Sequence, residues 1–130
     1  MTVWQPTRGL HLLDSIALIT PDMADGVVVT GSHGGTSAAG FVLALPKKPR
    51  AVFFNDAGIG KDDAGIAALA MMQSVGVIAA VYAHTSARIG DANDGWRNGV
   101  ITRCNALALA AAIAPAQSVQ SVVHRLTQVT

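Results

Sequence analysis

Hydrophobic positions in this chain gather into short runs, and three of the runs end in clusters of small and polar residues. Val27-Val28-Val29-Thr30 leads into Gly31-Ser32-His33-Gly34-Gly35-Thr36-Ser37. Ala51-Val52-Phe53-Phe54 leads into Asn55-Asp56-Ala57-Gly58, and Val77 to Ala83 leads into His84-Thr85-Ser86-Ala87-Arg88. Unbroken apolar runs of this length read as strands buried on both faces, as parallel strands are. Ligand sites of open α/β sheets lie outside the carboxyl ends of such strands. Three ends side by side therefore predict one pocket of His, Ser, Asn, Asp and Arg side chains.

Between these strands the pattern changes to helical spacing. Thr36 to Leu45 reads as a helix of small and apolar residues closed by Pro46. Lys61-Asp62-Asp63 opens a second helix running to Ser74, stopped by Gly76, with Ile66, Leu69, Ala70 and Gln73 on one face. A polar loop from Ser86 to Gly95 precedes a long helix from about Trp96 to Ala114, closed by Pro115. Its centre, Ala106 to Ile113, is apolar all round, which predicts burial on more than one side. Ser118 to Leu126 is read as a last, amphipathic helix. Near the start, Leu10 to Ile19 fits neither period and is taken as a strand, and Thr20-Pro21-Asp22 opens one helical turn that Asp25-Gly26 stops. Strands alternating with crossover helices predict a single domain with a three-layer α/β fold. That is a mostly parallel sheet with helices on both faces, of Rossmann-like or flavodoxin-like kind.

Composition sharpens this picture. The 130 residues are 51% hydrophobic and only 13% charged, about half the usual charged share. All eight acids are Asp, a residue of caps and turns rather than of helix surfaces. The helices therefore show few charged faces, and a homo-oligomer is expected to cover the apolar surface. Net charge is +1, with basic residues scattered apart from the Pro46-Lys47-Lys48-Pro49-Arg50 turn, which argues against a nucleic-acid groove. A single Cys104, placed in the long helix, excludes an internal disulfide and fits a reducing compartment. No apolar run approaches the ~18 residues of a membrane helix, and Met1 to Gly9 carry no secretory leader pattern. The expected location is cytoplasmic, away from membranes.

Three clusters offer chemistry. The glycines of Gly31-Ser32-His33-Gly34-Gly35 leave backbone amides facing whatever sits above the next helix, an anion cradle in outline, although the phosphate-loop and dinucleotide spacings are both absent. His33 there is the candidate general acid or base. Asp56 is its candidate orienting partner, or a turn former, and Asn55 a candidate oxyanion donor. Asp62 and Asp63 read better as helix cap and first-turn acid. Lys61, His84 and Ser86 line the expected pocket with Ser32, Gly34 and Gly35. Arg88 supplies a bidentate anchor for a carboxylate or phosphate, or pairs with Asp91 to close the loop. His33, Asp56 and His84 match no defined metal motif, so no metal or cofactor is assigned. The expected ligand is a small anionic metabolite, handled by an enzyme using His33 or held by a non-catalytic binding or scaffolding subunit.

The stretch from Val27 to Asp91, through its His-Gly-Gly, Asn-Asp-Ala-Gly and Ser86-Ala87-Arg88-Ile89-Gly90-Asp91 segments, resembles a family of small uncharacterised bacterial proteins. That likeness implies a bacterial, cytoplasmic protein and says nothing of substrate. More loosely, Ser32-His33-Gly34 resembles the His-Gly end of one strand in caspase-like cysteine peptidases. The likeness implies a layered architecture without peptidase chemistry, because Ala57 stands about where the cysteine nucleophile would fall.

Overall fold

A computed structural model describes residues 3–127; Met1 and Thr2, where the segment read for a leader begins, lie outside it. Six strands form one sheet in chain order: β1 (Val3–Thr7), β2 (Leu10–Leu13), β3 (Val27–His33), β4 (Ala51–Asn55), β5 (Ile78–Tyr82) and β6 (Ile101–Cys104). β2 to β5 are parallel, and β1 and β6 close the two edges antiparallel. Among the described residues five α-helices complete the fold: α1 (Thr36–Leu43), α2 (Ala68–Ser74), α3 (Ala92–Asn98), α4 (Ala106–Ala110) and α5 (Val119–Thr127).

Side chains alternate across the sheet, and the alternation splits the core in two. Val28, Val52, Phe54, Ala79 and Val81 pack against Ala38, Ala39 and Val42 of α1 and Leu69 and Met72 of α2. Val27, Val29, Phe53, Ala80 and Tyr82 pack on the opposite face against Ala92 of α3 and Val119, Val122 and Val123 of α5. The fold is thus three-layer α/β, with a six-stranded, mostly parallel sheet between two helical layers. Among the described residues no helix is long and apolar enough to cross a membrane.

Several expected elements differ. The run from Leu10 is a strand only to Leu13; Ile16–Leu18 is a 3-10 turn, capped by the Ser15 hydroxyl on the Ala17 amide. The helix expected from Trp96 to Ala114 is three elements. α3 starts earlier, at an Asp91 cap inside the expected loop, and ends at Gly99. After Gly99 comes the β-branched run Val100-Ile101-Thr102, from which Ile101–Cys104 pairs with β5 as β6, so Cys104 lies in a strand. α4 follows as little more than one turn, leaving Leu109 57% exposed rather than buried on several sides. The helix expected from Lys61 opens instead as a kinked 3-10 segment, Lys61–Ile66. Asp62 and Asp63 lie there in the left-handed region without capping the helix, a conformation Asp accepts more readily than most residues. In α2 the buried residues are Ala68, Leu69 and Met72, while Ala70 and Gln73 face outward. The basic turn is tied into the fold: the Lys48 ammonium donates to the Leu43 and Leu45 carbonyls at the end of α1, and Arg50 donates to the Leu126 carbonyl at 2.8 Å.

Candidate functional site

Because the strand order follows the chain, the carboxyl ends of β3, β4 and β5 are immediate neighbours. After β4 the chain turns to the α2 face; after β5 it crosses to the face of α3, where Ala87 and Ala92 are buried. Adjacent strands leaving toward opposite faces open a crevice at the sheet's carboxyl edge. Asp56, directly after β4, and His84, two residues after β5, stand in it.

The Asp56 carboxylate is 4% exposed and gathers four donors. Its Oδ1 accepts the backbone amides of Gly58 at 2.8 Å and His84 at 3.0 Å, and the His84 Nδ1 lies 3.3 Å away. Its Oδ2 accepts the Thr102 hydroxyl of β6 at 2.8 Å. Burial pushes this carboxyl upward, but the hydrogen bonds from Gly58, Thr102 and His84 outweigh it and hold it below the usual Asp value. A charge so fixed keeps the proton of neutral His84 on Nδ1, which leaves the Nε2 lone pair free to take a proton. The His84 side chain is 52% exposed, so that lone pair is reachable. Its ring lies over Gly58, where an added Cβ would sit 3.2 Å from the imidazole and φ is +74°. Gly58 is thus a close approach.

The loop beneath is held by two Asx turns, with the Asn55 Oδ1 accepting from Ala57 as Asp56 does from Gly58. Ala57 is exposed at φ +50°, a conformation costly for a residue with a Cβ. Ala57→Gly is therefore expected to stabilise the fold by about 1 kcal/mol. A melting midpoint equal to or below that of wild type would contradict this.

The remaining candidates fall into three groups. Asn55 and Ser86 are tied internally. The buried Asn55 amide donates to the Ala87 carbonyl at 3.1 Å, and the Ser86 hydroxyl donates to Ala83 at 2.7 Å and accepts from Val100 at 3.0 Å. Neither group is free to meet a developing oxyanion without breaking these bonds. Arg88 joins His84: the two line one cleft of about 360 Å³ with Ser86 and Asp94. The backbone amide of Arg88 donates to the Asp94 Oδ2 at 2.7 Å, while Asp91 caps α3 through the Asp94 amide; the expected Arg88–Asp91 pair is not formed. Lys61 is exposed on the kinked segment.

His33 stands apart from Asp56. The pairing of β3 with β4 slips between Val29 and His33, and Gly31 in this bulge takes the Gly90 amide on its carbonyl at 2.7 Å. Beyond the bulge His33 is exposed, its ring close over Gly35, where an added Cβ would meet Nε2 at 2.8 Å. His33 and Ser32 line a second cleft of about 370 Å³ with Asp14, Ser15 and Ile89. Ser32 there accepts the Ile16 amide at 3.0 Å. The Gly34 amide is spent on the Asn55 carbonyl at 3.0 Å, and Gly35 caps α1 with no side chain over the helix amides. Among the described residues no three His, Cys, Asp or Glu side chains come together as a metal site.

Two members of this arrangement were not anticipated. Thr102, which orients Asp56, is hidden from sequence reading by its placement in a long helix; the β-branched run after Gly99 is the signal for it. Asp14 accepts the Ala92 amide at 3.0 Å and lines the second cleft, but stands in a segment whose period is ambiguous. Comparison with known proteins finds no matching protein family, no matching curated protein and no matching solved structure.

Proposed function

We propose that this protein binds a small anionic metabolite, a carboxylate or phosphate, at the carboxyl ends of β3 to β5, with His84 as the proton-transferring group. The observation that carries the reading is the buried Asp56 carboxylate set 3.3 Å from the Nδ1 of a half-exposed histidine. A carboxylate that fixes an imidazole's tautomer and orientation is the support a general base requires. Arg88 in the same cleft serves as the anchor for the ligand's anion. With Ser86 hydrogen-bonded in both directions and Thr102 donating to Asp56, the chemistry assigned is proton transfer to or from the ligand or a water. This reading moves the acid–base role from His33 to His84, because His84 is the histidine that Asp56 holds. His33 and the uncapped amides of α1 form a flanking anion-binding edge. Composition and the single cysteine fit a cytoplasmic setting.

A second reading, a non-catalytic binding or scaffolding subunit, is favoured by the internal commitment of Asn55 and Ser86, which tie the strand-end loops together. Both readings are tested by the melting midpoint of wild type, Arg88→Ala and His84→Gln against inorganic phosphate and a set of small mono- and dicarboxylates. A ligand at a hundred times its Kd stabilises the native state by about 2.7 kcal/mol. The expected result is a rise in wild type that is lost in Arg88→Ala and reduced in His84→Gln. No rise with any member, or the same rise in both variants, would exclude this cleft as the site. Binding that survives with no proton exchange or turnover of the ligand would select the second reading.

A further inference from the structure

Arg88 lines its cleft together with a side chain of opposite charge. Asp94 stands in the wall of the same space of about 360 Å³, with His84 and Ser86. The Asp94 Oδ2 accepts the backbone amide of Arg88 at 2.7 Å, and its Oδ1 accepts the Asn98 side-chain amide at 2.7 Å. A carboxylate offers about four acceptor sites, so each oxygen keeps a lone pair for a further donor. The bonds from Arg88 and Asn98 hold this carboxyl below the usual Asp value, which leaves it charged at neutral pH. The Asp91 cap on the Asp94 amide at 3.0 Å fixes the first turn of α3 beside the loop. Arg88 is exposed, and among the described residues its guanidinium forms no ion pair with Asp94. A cation and an anion thus share one small cleft without neutralising each other.

Building on the reading of this cleft as a carboxylate site, we propose that its ligand is an α-amino acid, with the ligand's carboxylate on the Arg88 guanidinium and its ammonium on the Asp94 carboxylate. A ligand that is anionic throughout meets Arg88 favourably but is repelled by Asp94, whereas one that carries a cation beside its anion complements both. The planar guanidinium fork matches a carboxylate, and an ammonium supplies three donors for the lone pairs that Asp94 keeps. Asp94 is then the specificity-determining residue, because a group placed to accept from an ammonium disfavours the analogue that lacks one. His84 lines the same space, so a ligand held at both ends is presented to its Nε2 in a fixed pose.

Titration calorimetry on wild type, Asp94→Asn and Arg88→Ala tests this by comparing each amino acid with the acid that lacks its amino group: alanine with propionate, valine with isovalerate and glutamate with glutarate. The expected result is an amino acid that binds wild type at least about tenfold more tightly than its paired acid. In Asp94→Asn that preference should disappear while the acid binds as well or better. A merely structural role of Asp94 would weaken both members of a pair together. Asp94→Asn keeps an oxygen for the Arg88 amide, and the Asn98 amide can turn its own oxygen to the new donor. If that variant fails to fold, the comparison within wild type still decides. Acids that bind as tightly as their amino acids, with binding lost in Arg88→Ala, overturn the proposal and leave the cleft an anion site. Inorganic phosphate bound through Arg88 with every amino acid rejected does the same. Failure of all these compounds to bind overturns the reading of the cleft itself, and the proposal with it.

Discussion

Asn105→Ala is expected to destabilise the fold by about 4 kcal/mol, or roughly 15 °C in melting midpoint. Asn105 is 7% exposed and makes four hydrogen bonds. Its Nδ2 donates to the carbonyls of Leu69 at 3.3 Å and Val77 at 3.0 Å, and its Oδ1 accepts the amides of Ala79 at 3.2 Å and Ala108 at 3.0 Å. One side chain thereby ties the first turn of α2, the start of β5 and the first turn of α4. Alanine strands two donors and two acceptors in a nearly dry site, and each unmet buried group costs about 1–3 kcal/mol less whatever water enters to replace it. Asn105→Asp keeps both amides satisfied but turns a carboxylate toward two carbonyls. It should therefore be unstable at neutral pH and recover as its carboxyl is protonated. Chemical denaturation of both variants from neutral to mildly acidic pH checks this; losses under about 1 kcal/mol would show that the four bonds do not hold the edge.

The second large effect belongs to Asp56. Asp56→Ala leaves the Gly58 and His84 amides and the Thr102 hydroxyl without their acceptor, and a loss of about 3 kcal/mol is expected. Asp56→Asn keeps an oxygen for the two amides, and the Thr102 hydroxyl can rotate to accept, so it should cost less than half as much. It nevertheless removes the carboxylate that holds the His84 Nδ1–H, so proton transfer should fall far more than stability does. Acidification provides an independent check. The folded carboxyl lies below the ordinary Asp value of about 3.9, so its contribution is complete above that value and is lost as pH falls through the folded pKa. Wild type should lose stability across this acid range more steeply than Asp56→Asn. Parallel pH profiles, or an alanine variant as stable as wild type, would remove Asp56 from the framework.

Strands β3, β4 and β5 were legible because buried parallel strands write themselves as unbroken apolar runs ending in turn chemistry, and their polar ends carried the site with them. The segment from Trp96 to Ala114 was misread for a local reason. Its alanines and leucines favour helix, and only Gly99 and the β-branched run behind it mark the break that makes β6. Losing β6 hid Thr102 and gave Asn105 the look of a helix interior, when it is the cap of α4. The choice between His33 and His84 is set in the folded chain: His33 follows the bulge in β3 and lines the Ser32 cleft, while the Asp56 carboxylate is held by Gly58, His84 and Thr102. Which histidine faces the carboxylate is a matter of strand register, and a register slip of this kind leaves no trace in hydropathy. β1 was missed because it is short, contains Pro6 and pairs only at the sheet edge.

Nitrogen-15 and proton correlation spectra of the His84 imidazole in wild type and Asp56→Asn test the central assignment most directly. With the Asp56 carboxylate accepting from Nδ1, the neutral ring of wild type should carry its proton on Nδ1 and present a bare Nε2, and this preference should weaken in Asp56→Asn. A wild-type His84 protonated on Nε2 with Nδ1 bare, unchanged by the substitution, would contradict the Asp56–His84 pairing and the proton-transfer role built on it.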